Sequence, residues 1–126
     1  MRVLLDTITF LWAVTSPERI SPRAMSALTD ASAVREIGAI SLSEITIKTA
    51  RGKLAISIED VVQGIADLRL RVLPYTAEHA YGLFALPLHH ADPFDRQIIA
   101  QALVEEIPVV TADESFGLYE GVTVIW

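Results

Sequence analysis

The length, composition and charge of this chain limit what it can be before any motif is considered. With 126 residues it has the size of one ordinary domain, so we expect a single domain over residues 1–126. The absence of cysteine excludes a disulfide framework, a thiolate metal site and a cysteine nucleophile. The formal net charge of −6 argues against a broad nucleic-acid-binding face, although acids gathered around a cation would weaken that argument.

Composition also bears on location and assembly. No segment has the pattern of a signal peptide or the length of a membrane span, and a cysteine-free chain suits a reducing compartment. We therefore expect a soluble, cytoplasmic protein with no membrane partner. Hydrophobic residues make up 52% of the chain and the mean hydropathy is +0.41, which are high values for a small monomer. We expect apolar surface that a partner covers, and hence an oligomer.

Strand-like apolar runs alternate with segments of helical spacing, which indicates an α/β fold. We expect a central, mostly parallel sheet of four to five strands flanked by helices. The first strand ends at Leu5, directly before Asp6. Ser21, as an N-cap before Pro22, predicts a helix that ends near residues 32–33.

The middle of the chain continues the alternation. Residues 38–41 form a second strand-like run, which reaches Glu44 within three residues. Ser57 begins a helix that we expect to serve only as scaffold, and Thr76 is the predicted N-cap of a helix reaching about Phe84. The helix after Ser57 has an apolar stripe at helical spacing, formed by Ile58, Val61, Val62, Ile65 and Leu68.

The remaining elements are predicted in the same way. Residues 71–73 read as a short strand, and Asp92 opens a helix with a proline at its first position. Residues 109–111 read as a buried strand, residues 113–118 as a short helix and residues 122–125 as a closing strand.

Four acids fall beside strand ends or in the first turn of a helix: Asp6, Glu44, Asp95 and Asp113. In an open parallel sheet such positions meet at the carboxyl ends of the strands, where ligands bind. Crowded carboxylates repel, and a divalent cation removes that conflict. Because Mg²⁺ and Mn²⁺ prefer oxygen ligands, we predict that the four acids hold Mg²⁺ or Mn²⁺. A metal-activated water that hydrolyses a phosphodiester is the reaction this site favours.

Structural roles compete with this interpretation. Asp92 reads first as an N-cap, and Asp95 could be its capping-box partner. Asp6 and Asp113 could each cap the helix that follows. Glu44 could pair with the lysine one helical turn further on.

Other polar residues have open roles. Lys48, Arg51 and Lys53 form a small basic cluster that could hold a nucleic-acid backbone or could simply be solvated. The hydroxyl of Thr111 could bond a ligand or the loop of Asp6, or Thr111 could be an ordinary strand residue. The three histidines are left outside the predicted site: His79, His89 and His90.

Four segments together resemble the PIN-domain ribonucleases, specifically VapC-type toxins. They are residues 4–7 with Leu11 and Trp12, residues 40–48 with 52–54, residues 89–96, and residues 111–116 with Tyr119 and residues 124–126. The resemblance implies a PIN-like fold and a Mg²⁺- or Mn²⁺-dependent endoribonuclease with the same four acids as metal ligands. It also implies a homodimer that arrests growth by cutting RNA, neutralised by a cognate antitoxin whose C-terminal segment covers the active groove.

Two positions depart from the family pattern. Ile8 stands where a histidine is common, and Ser43 stands where a tryptophan is common. Neither departure removes an acid, so they bear on local packing and substrate preference.

Two other classes of function remain as alternatives. A receiver-like phosphoacceptor module would need a second acid beside Asp6 and a lysine after the last strand, and a phosphatase with paired aspartates would need an acid two residues after Asp6. The chain has none of these. In a non-catalytic interaction domain the acids would only cap helices.

Overall fold

The computed structural model describes all 126 residues. The strands are β1 (Arg2–Leu5), β2 (Val34–Gly38), β3 (Arg71–Leu73), β4 (Val109–Val110) and β5 (Val124–Ile125). The α-helices are α1 (Thr7–Thr15), α2 (Pro22–Thr29), α3 (Ala39–Ala50), α4 (Ile58–Asp67), α5 (Ala77–Tyr81) and α6 (Pro93–Glu105). Short 3-10 helices lie at Pro17–Arg19, Gly82–Ala85 and Glu114–Leu118. None of the helices combines the length and the hydrophobicity that a membrane crossing requires.

The five strands form one parallel sheet in the order β3-β2-β1-β4-β5. In the central strand β1, Leu5 pairs with Ile37 of β2 on one side and with Val110 of β4 on the other. The chain builds the sheet from β1 to β3 and then crosses to the opposite side, so the strand order reverses between β1 and β4. Such a reversal opens a crevice at the carboxyl ends of the strands. The predicted α/β fold with a mostly parallel sheet is confirmed.

The central strand β1 is buried on both faces, which explains why it reads as an unbroken apolar run. Val3 and Leu5 point to one face of the sheet and pack in a core cluster that includes Phe10 of α1. Leu4 points to the other face and packs in a second cluster that includes Ile98 of α6. Helices therefore cover both faces, and the residue after β1 emerges at a rigid position.

Four predicted helix starts are confirmed. The side chains of Ser21, Ser57, Thr76 and Asp92 each accept a hydrogen bond from a backbone N–H two or three residues further on. Such a cap satisfies one of the free donors of the first turn and stabilises a helix by roughly 0.5–2 kcal/mol.

The predicted end of α2 near residues 32–33 is wrong, because the helix stops at Thr29. Asp30 leaves the helical conformation with ψ 110°, and its carboxylate accepts hydrogen bonds from the N–H and the hydroxyl of Ser32 at 2.9 and 2.7 Å. This local turn competes with another helical turn and prevails.

The predicted strand over residues 38–41 is also wrong. The strand β2 ends at Gly38, and the residues that follow are the first turn of α3. The sequence does not predict β2 because two charged residues, Arg35 and Glu36, interrupt its apolar pattern. Glu36 is nevertheless buried, because both of its carboxylate oxygens accept hydrogen bonds from Arg2 on β1 at 2.8 and 3.1 Å.

Three further predictions differ only in detail. The helix from Thr76 is α-helical to Tyr81 and continues as a 3-10 helix to Ala85. The short helix after Asp113 is a 3-10 helix, and the closing strand covers residues 124–125 rather than 122–125.

The apolar stripe of α4 is only partly buried. Val61 lies in the core, whereas Ile58 and Val62 are 67% and 59% exposed. They line an apolar groove of about 490 Å³ between α3 and α4, together with residues that include Leu42 and Ile45. Two of the five residues of the stripe are therefore exposed, and the expectation that this helix serves only as scaffold stays a prediction.

Candidate active site

Two of the predicted acids are brought together by the pairing of β1 with β4. Asp6 follows β1 directly and is the N-cap of α1, and Asp113 follows β4 and is the N-cap of the 3-10 helix Glu114–Leu118. Thr111 joins them, since its hydroxyl donates to Asp6 Oδ2 at 2.6 Å and accepts from the N–H of Asp113 at 3.0 Å. Of the roles left open for Thr111, the bond to the Asp6 loop is the one present.

Asp6 is held firmly in place. Its carboxylate also accepts from the N–H of Thr9 at 2.9 Å, and the residue is only 4% exposed. Burial raises the pKa of Asp6, and the nearby charge of Asp113 raises it further, while the bonds from Thr111 and Thr9 oppose this. The capping role is therefore real, and it leaves the carboxylate fixed at the edge of the crevice.

Glu44, on α3, is buried and bonded on both oxygens. The hydroxyl of Thr7 donates to Oε1 at 2.6 Å, and Lys48 lies 2.5 Å from Oε2. The hydroxyls of Thr7 and Ser41 lie 2.9 Å apart, which links the β1–α1 turn to α3. The pair with Lys48, weighed above as the structural alternative, is thus present.

Asp95 differs from the other acids. It lies in the first turn of α6 close to Asp92, whose carboxylate caps the helix by accepting from the N–H groups of Phe94 and Asp95 at 2.9 and 3.1 Å. The carboxylate of Asp95 itself accepts no hydrogen bond, so there is no capping box. Burial raises the pKa of Asp95 to about 7, with further contributions from the negative charges of Asp92, Asp6, Glu44 and Asp113 in that order.

Three of the four acids face one crevice. A cavity of about 230 Å³ is lined by Asp6, Ile8, Trp12, Asp95, Ala112 and Asp113. Glu44 does not line it, and its carboxylate is bonded to Thr7 at the start of α1. Ile8, one of the two departures from the family pattern, forms part of the wall.

The donor set suits a hard divalent cation in its chemistry. Three carboxylates line the crevice beside Ile8, Trp12 and Ala112, and burial together with the neighbouring negative charges raises the pKa of Asp95. No three carboxylate or imidazole groups converge into a compact ligand cluster, however. Asp6, Asp95 and Asp113 line one crevice, and their charges interact, but the carboxylates do not form a closed coordination shell.

The basic cluster splits into two kinds of residue. Lys48 pairs with Glu44, and the pKa of its ammonium is raised mainly by that bond and also by the charges of Asp92 and Asp95. Arg51 and Lys53 are exposed and form no ion pair.

The histidines also differ from one another. His79 is buried away from the crevice and contacts Glu105 at 3.0 Å. His90 was left outside the predicted site, yet its Nε2 lies 3.7 Å from Asp95 Oδ2. Its position three residues before the start of α6 was the only signal in the sequence.

The fold and the site geometry allow a comparison with known proteins. The protein has an α/β fold with a parallel sheet, and acidic residues line a crevice where the strand order reverses. Residues 3–121 match the PIN domain, so the chain belongs to the PIN-domain family, a family of nucleases. The resemblance inferred from the sequence is thereby confirmed, and the chain is a hydrolase of the class that acts on nucleic acids.

Solved structures agree with this fold. VapBC2 from Rickettsia felis, bound to a DNA fragment from its promoter, superposes with a TM-score of 0.75 at 16% identity, covering 98% of this chain and 97% of that one. VapBC from Salmonella typhimurium, also bound to DNA, gives a TM-score of 0.68 at 19% identity and covers 98% and 96%. VapBC-5 from Mycobacterium tuberculosis, a member of the VapBC family of toxin-antitoxin systems, gives 0.62 at 20% identity and covers 98% and 97%. No curated protein matches the sequence.

Proposed function

We propose that this protein is a Mg²⁺- or Mn²⁺-dependent endoribonuclease and the toxin of a toxin-antitoxin pair. One observation carries the proposal. Asp95 presents a partly buried carboxylate without any hydrogen-bond donor to the crevice that Asp6 and Asp113 also line. A helix-capping acid would be bonded to the backbone, as Asp92 is. An acid kept unbonded beside two others is suited to a metal ligand.

In this proposal Asp6, Asp95 and Asp113 would hold the ion, with Glu44 as the fourth acid at its side. The bound ion would supply a water of lowered pKa and would neutralise charge on the phosphodiester. Thr111 orients Asp6 by its 2.6 Å hydrogen bond. No covalent intermediate is needed.

The neighbouring cations have separate tasks. Lys48 offsets the charge of Glu44, so the crevice is less strongly negative toward an approaching RNA. Arg51 and Lys53, exposed and unpaired, would contact the phosphate backbone of that RNA.

The decisive experiment compares Asp95→Asn with a matched control. Purified protein is incubated with total RNA and Mn²⁺, and Asp95→Asn is expected to lower cleavage at least 100-fold while leaving the fold intact, because a neutral amide cannot replace a charged ligand. Asp60→Asn, the same change at an exposed position of α4, is expected to keep full activity. Circular dichroism establishes that both variants are folded. Equal cleavage by both variants, or cleavage unaffected by EDTA, would contradict the proposal.

An antitoxin partner is supported by the solved relatives and by the surface. VapBC-5 is a member of a family of toxin-antitoxin systems. The groove between α3 and α4 exposes Ile58 and Val62, and a concave apolar groove suits the apolar face of an amphipathic segment. We assign this groove to the cognate antitoxin, whose C-terminal segment would continue to the crevice.

A homodimer is supported by a different surface. Exposed apolar side chains surround the segment between α5 and α6, among them Phe84 at 92% and Leu88 at 83% exposure. A patch of this kind on a small protein marks an interaction site. We assign it to a second copy of the chain.

A non-catalytic interaction domain is the one competing function with a specific observation in its favour. Asp6, Asp92 and Asp113 do cap helices, as that function requires. It leaves Asp95 unexplained, because an unbonded and partly buried carboxylate only costs stability in a purely structural role.

A further inference from the structure

A short line of polar groups runs from the surface of α6 toward the crevice. The guanidinium of Arg96 donates to the carbonyls of Pro87 and Leu86 at 2.7 and 3.3 Å and to the hydroxyl of Tyr119 at 3.2 Å. The same hydroxyl lies 2.7 Å from Nδ1 of His90. Tyr119 is fully buried, so these two contacts are the partners of its hydroxyl.

The donors and acceptors of Arg96, Tyr119 and His90 determine which nitrogen of His90 carries the proton. A guanidinium has only donors, so the oxygen of Tyr119 accepts from Arg96. The single proton of Tyr119 is then free to be donated to His90, whose Nδ1 must accept it. A neutral imidazole that accepts at Nδ1 carries its own hydrogen on Nε2. The network therefore selects the Nε2–H tautomer of His90.

The Nε2–H of His90 faces the carboxylate of Asp95, which accepts no hydrogen bond. Nε2 of His90 is buried and has no hydrogen-bond partner, and Asp95 Oδ2 faces it at 3.7 Å. Asp95 is also the one acid of the predicted four whose carboxylate accepts no hydrogen bond, since Asp6, Glu44 and Asp113 each accept at least one. His90 Nε2–H therefore lacks an acceptor, and the Asp95 carboxylate that faces it lacks a donor.

We propose that His90 is a positioning residue that donates from Nε2 to Oδ2 of Asp95 and so holds Oδ1 toward the metal. The inference rests on the proposed function, because it assigns Asp95 to a metal. Closing the 3.7 Å distance to the normal N–H···O range of about 2.7–3.2 Å needs a movement of about 0.5–1 Å. Arg96 and Tyr119 act through His90 by fixing its tautomer and its ring orientation. Outer-shell partners of this type typically change metal affinity by about 10–100-fold.

The tautomer is tested first, without metal. Long-range ¹H–¹⁵N NMR spectra of the wild-type protein are expected to show His90 with its proton on Nε2, and Tyr119→Phe is expected to remove this preference. A wild-type His90 protonated on Nδ1 would overturn the proposal.

The coupling to Asp95 is tested by Mn²⁺ affinity, measured from the EPR signal of free Mn²⁺. His90→Gln places an amide N–H near the position of Nε2 and is expected to stay within about threefold of wild type, whereas His90→Asn reaches only the position of Nδ1 and is expected to lose about tenfold. His89→Gln, the same change in the adjacent histidine, is the matched control and is expected to have no effect. Thermal melting of each variant separates lost affinity from lost folding.

A double mutant completes the test. In an Asp95→Ala background, which has no side-chain oxygen to accept from His90, His90→Asn is expected to cost no further affinity. An equal loss in both backgrounds, or equal affinities for His90→Gln and His90→Asn, would overturn the positioning role alone. A wild-type protein that binds no Mn²⁺ would instead remove the proposed function and this inference with it.

Discussion

At the scale of single residues, Asp6 and Asp95 line the same crevice but differ in the hydrogen bonds that their carboxylates accept. Asp6 is bonded by Thr9 and Thr111, while Asp95 is left without a donor. Both have a raised pKa, and burial is the largest cause for each. The folded state therefore disfavours the charged form of both carboxylates, and only Asp95 lacks hydrogen bonds that oppose this effect.

The raised pKa of Asp95 predicts a pH-dependent stability in metal-free protein. The pKa of Asp95 is about 7 in the folded state against an ordinary 3.8, so the folded state binds a proton more tightly than the unfolded state between these values. Stability from this group is full below about pH 4 and falls as the pH rises to about 7. Asp95→Asn is expected to reduce this fall and to raise the free energy of unfolding at pH 8 by about 1–2 kcal/mol, allowing for partial solvation of the carboxylate.

Urea denaturation of both proteins in EDTA from pH 4 to pH 8 measures the difference. Parallel pH profiles for wild type and Asp95→Asn would show that the pKa of Asp95 is not raised.

The positions of Asp6, Asp95 and Asp113 follow from the sequence because strand ends and helix starts are local features, whereas Glu44 lies inside α3 and was placed by a strand that the structure does not form. The role of the four acids as metal ligands stays a prediction.

Of the residues that hydrogen-bond these acids, the sequence pointed to Thr111 and Lys48 but not to Thr7. The hydroxyl of Thr7 contacts Ser41 and Glu44, which lie 34 and 37 residues further along the chain, and no spacing in the sequence reveals those contacts.

At the scale of elements, Asp92 at the start of α6 has two effects, one on the helix and one on the pKa of Asp95. The carboxylate of Asp92 caps the helix, and its negative charge is also the largest electrostatic contribution to the raised pKa of Asp95. The two effects can be separated by substitution.

Asp92→Ala is expected to lower the free energy of unfolding by about 1 kcal/mol, because the N-cap bond is lost. Asp92→Asn keeps a capping oxygen without the charge and is expected to cost less than half as much. Chemical denaturation at pH 7 measures both variants. An equal loss for the two would assign the effect to charge rather than to the cap.

The elements that sequence analysis identified are those whose pattern is purely local. The run of residues 3–5 and the capped starts of α4 and α6 were found because burial and capping leave direct marks. The strand β2 was displaced by several residues because Glu36, a charged residue, is buried there against Arg2 of the neighbouring strand. Tertiary pairing overrode the local preference.

At the scale of the whole molecule, the two exposed apolar surfaces lie on different elements, so the two proposed partners are separable. If the exposed apolar segment between α5 and α6 is the dimer interface, Phe84→Asp is expected to convert the dimer into a monomer, because it replaces an exposed apolar side chain of that segment by a charge. Light scattering measures the mass, and melting is expected to be unchanged because Phe84 is 92% exposed.

Val62→Asp, in the groove between α3 and α4, is the matched control and is expected to leave the dimer intact. A monomeric wild type, or a dimer that survives Phe84→Asp, would contradict the assignment of this patch.

The crevice is assembled from sequence positions that are almost a chain length apart. The bond from Thr111 to Asp6 spans 105 residues, and the strand that carries Asp6 lies in the middle of the sheet. During translation, Asp6 therefore leaves the ribosome long before β4 exists to complete its surroundings, and closing so long a loop is slow. A nascent chain therefore lacks the assembled crevice, and with it the proposed nuclease site, until nearly all of its sequence has emerged.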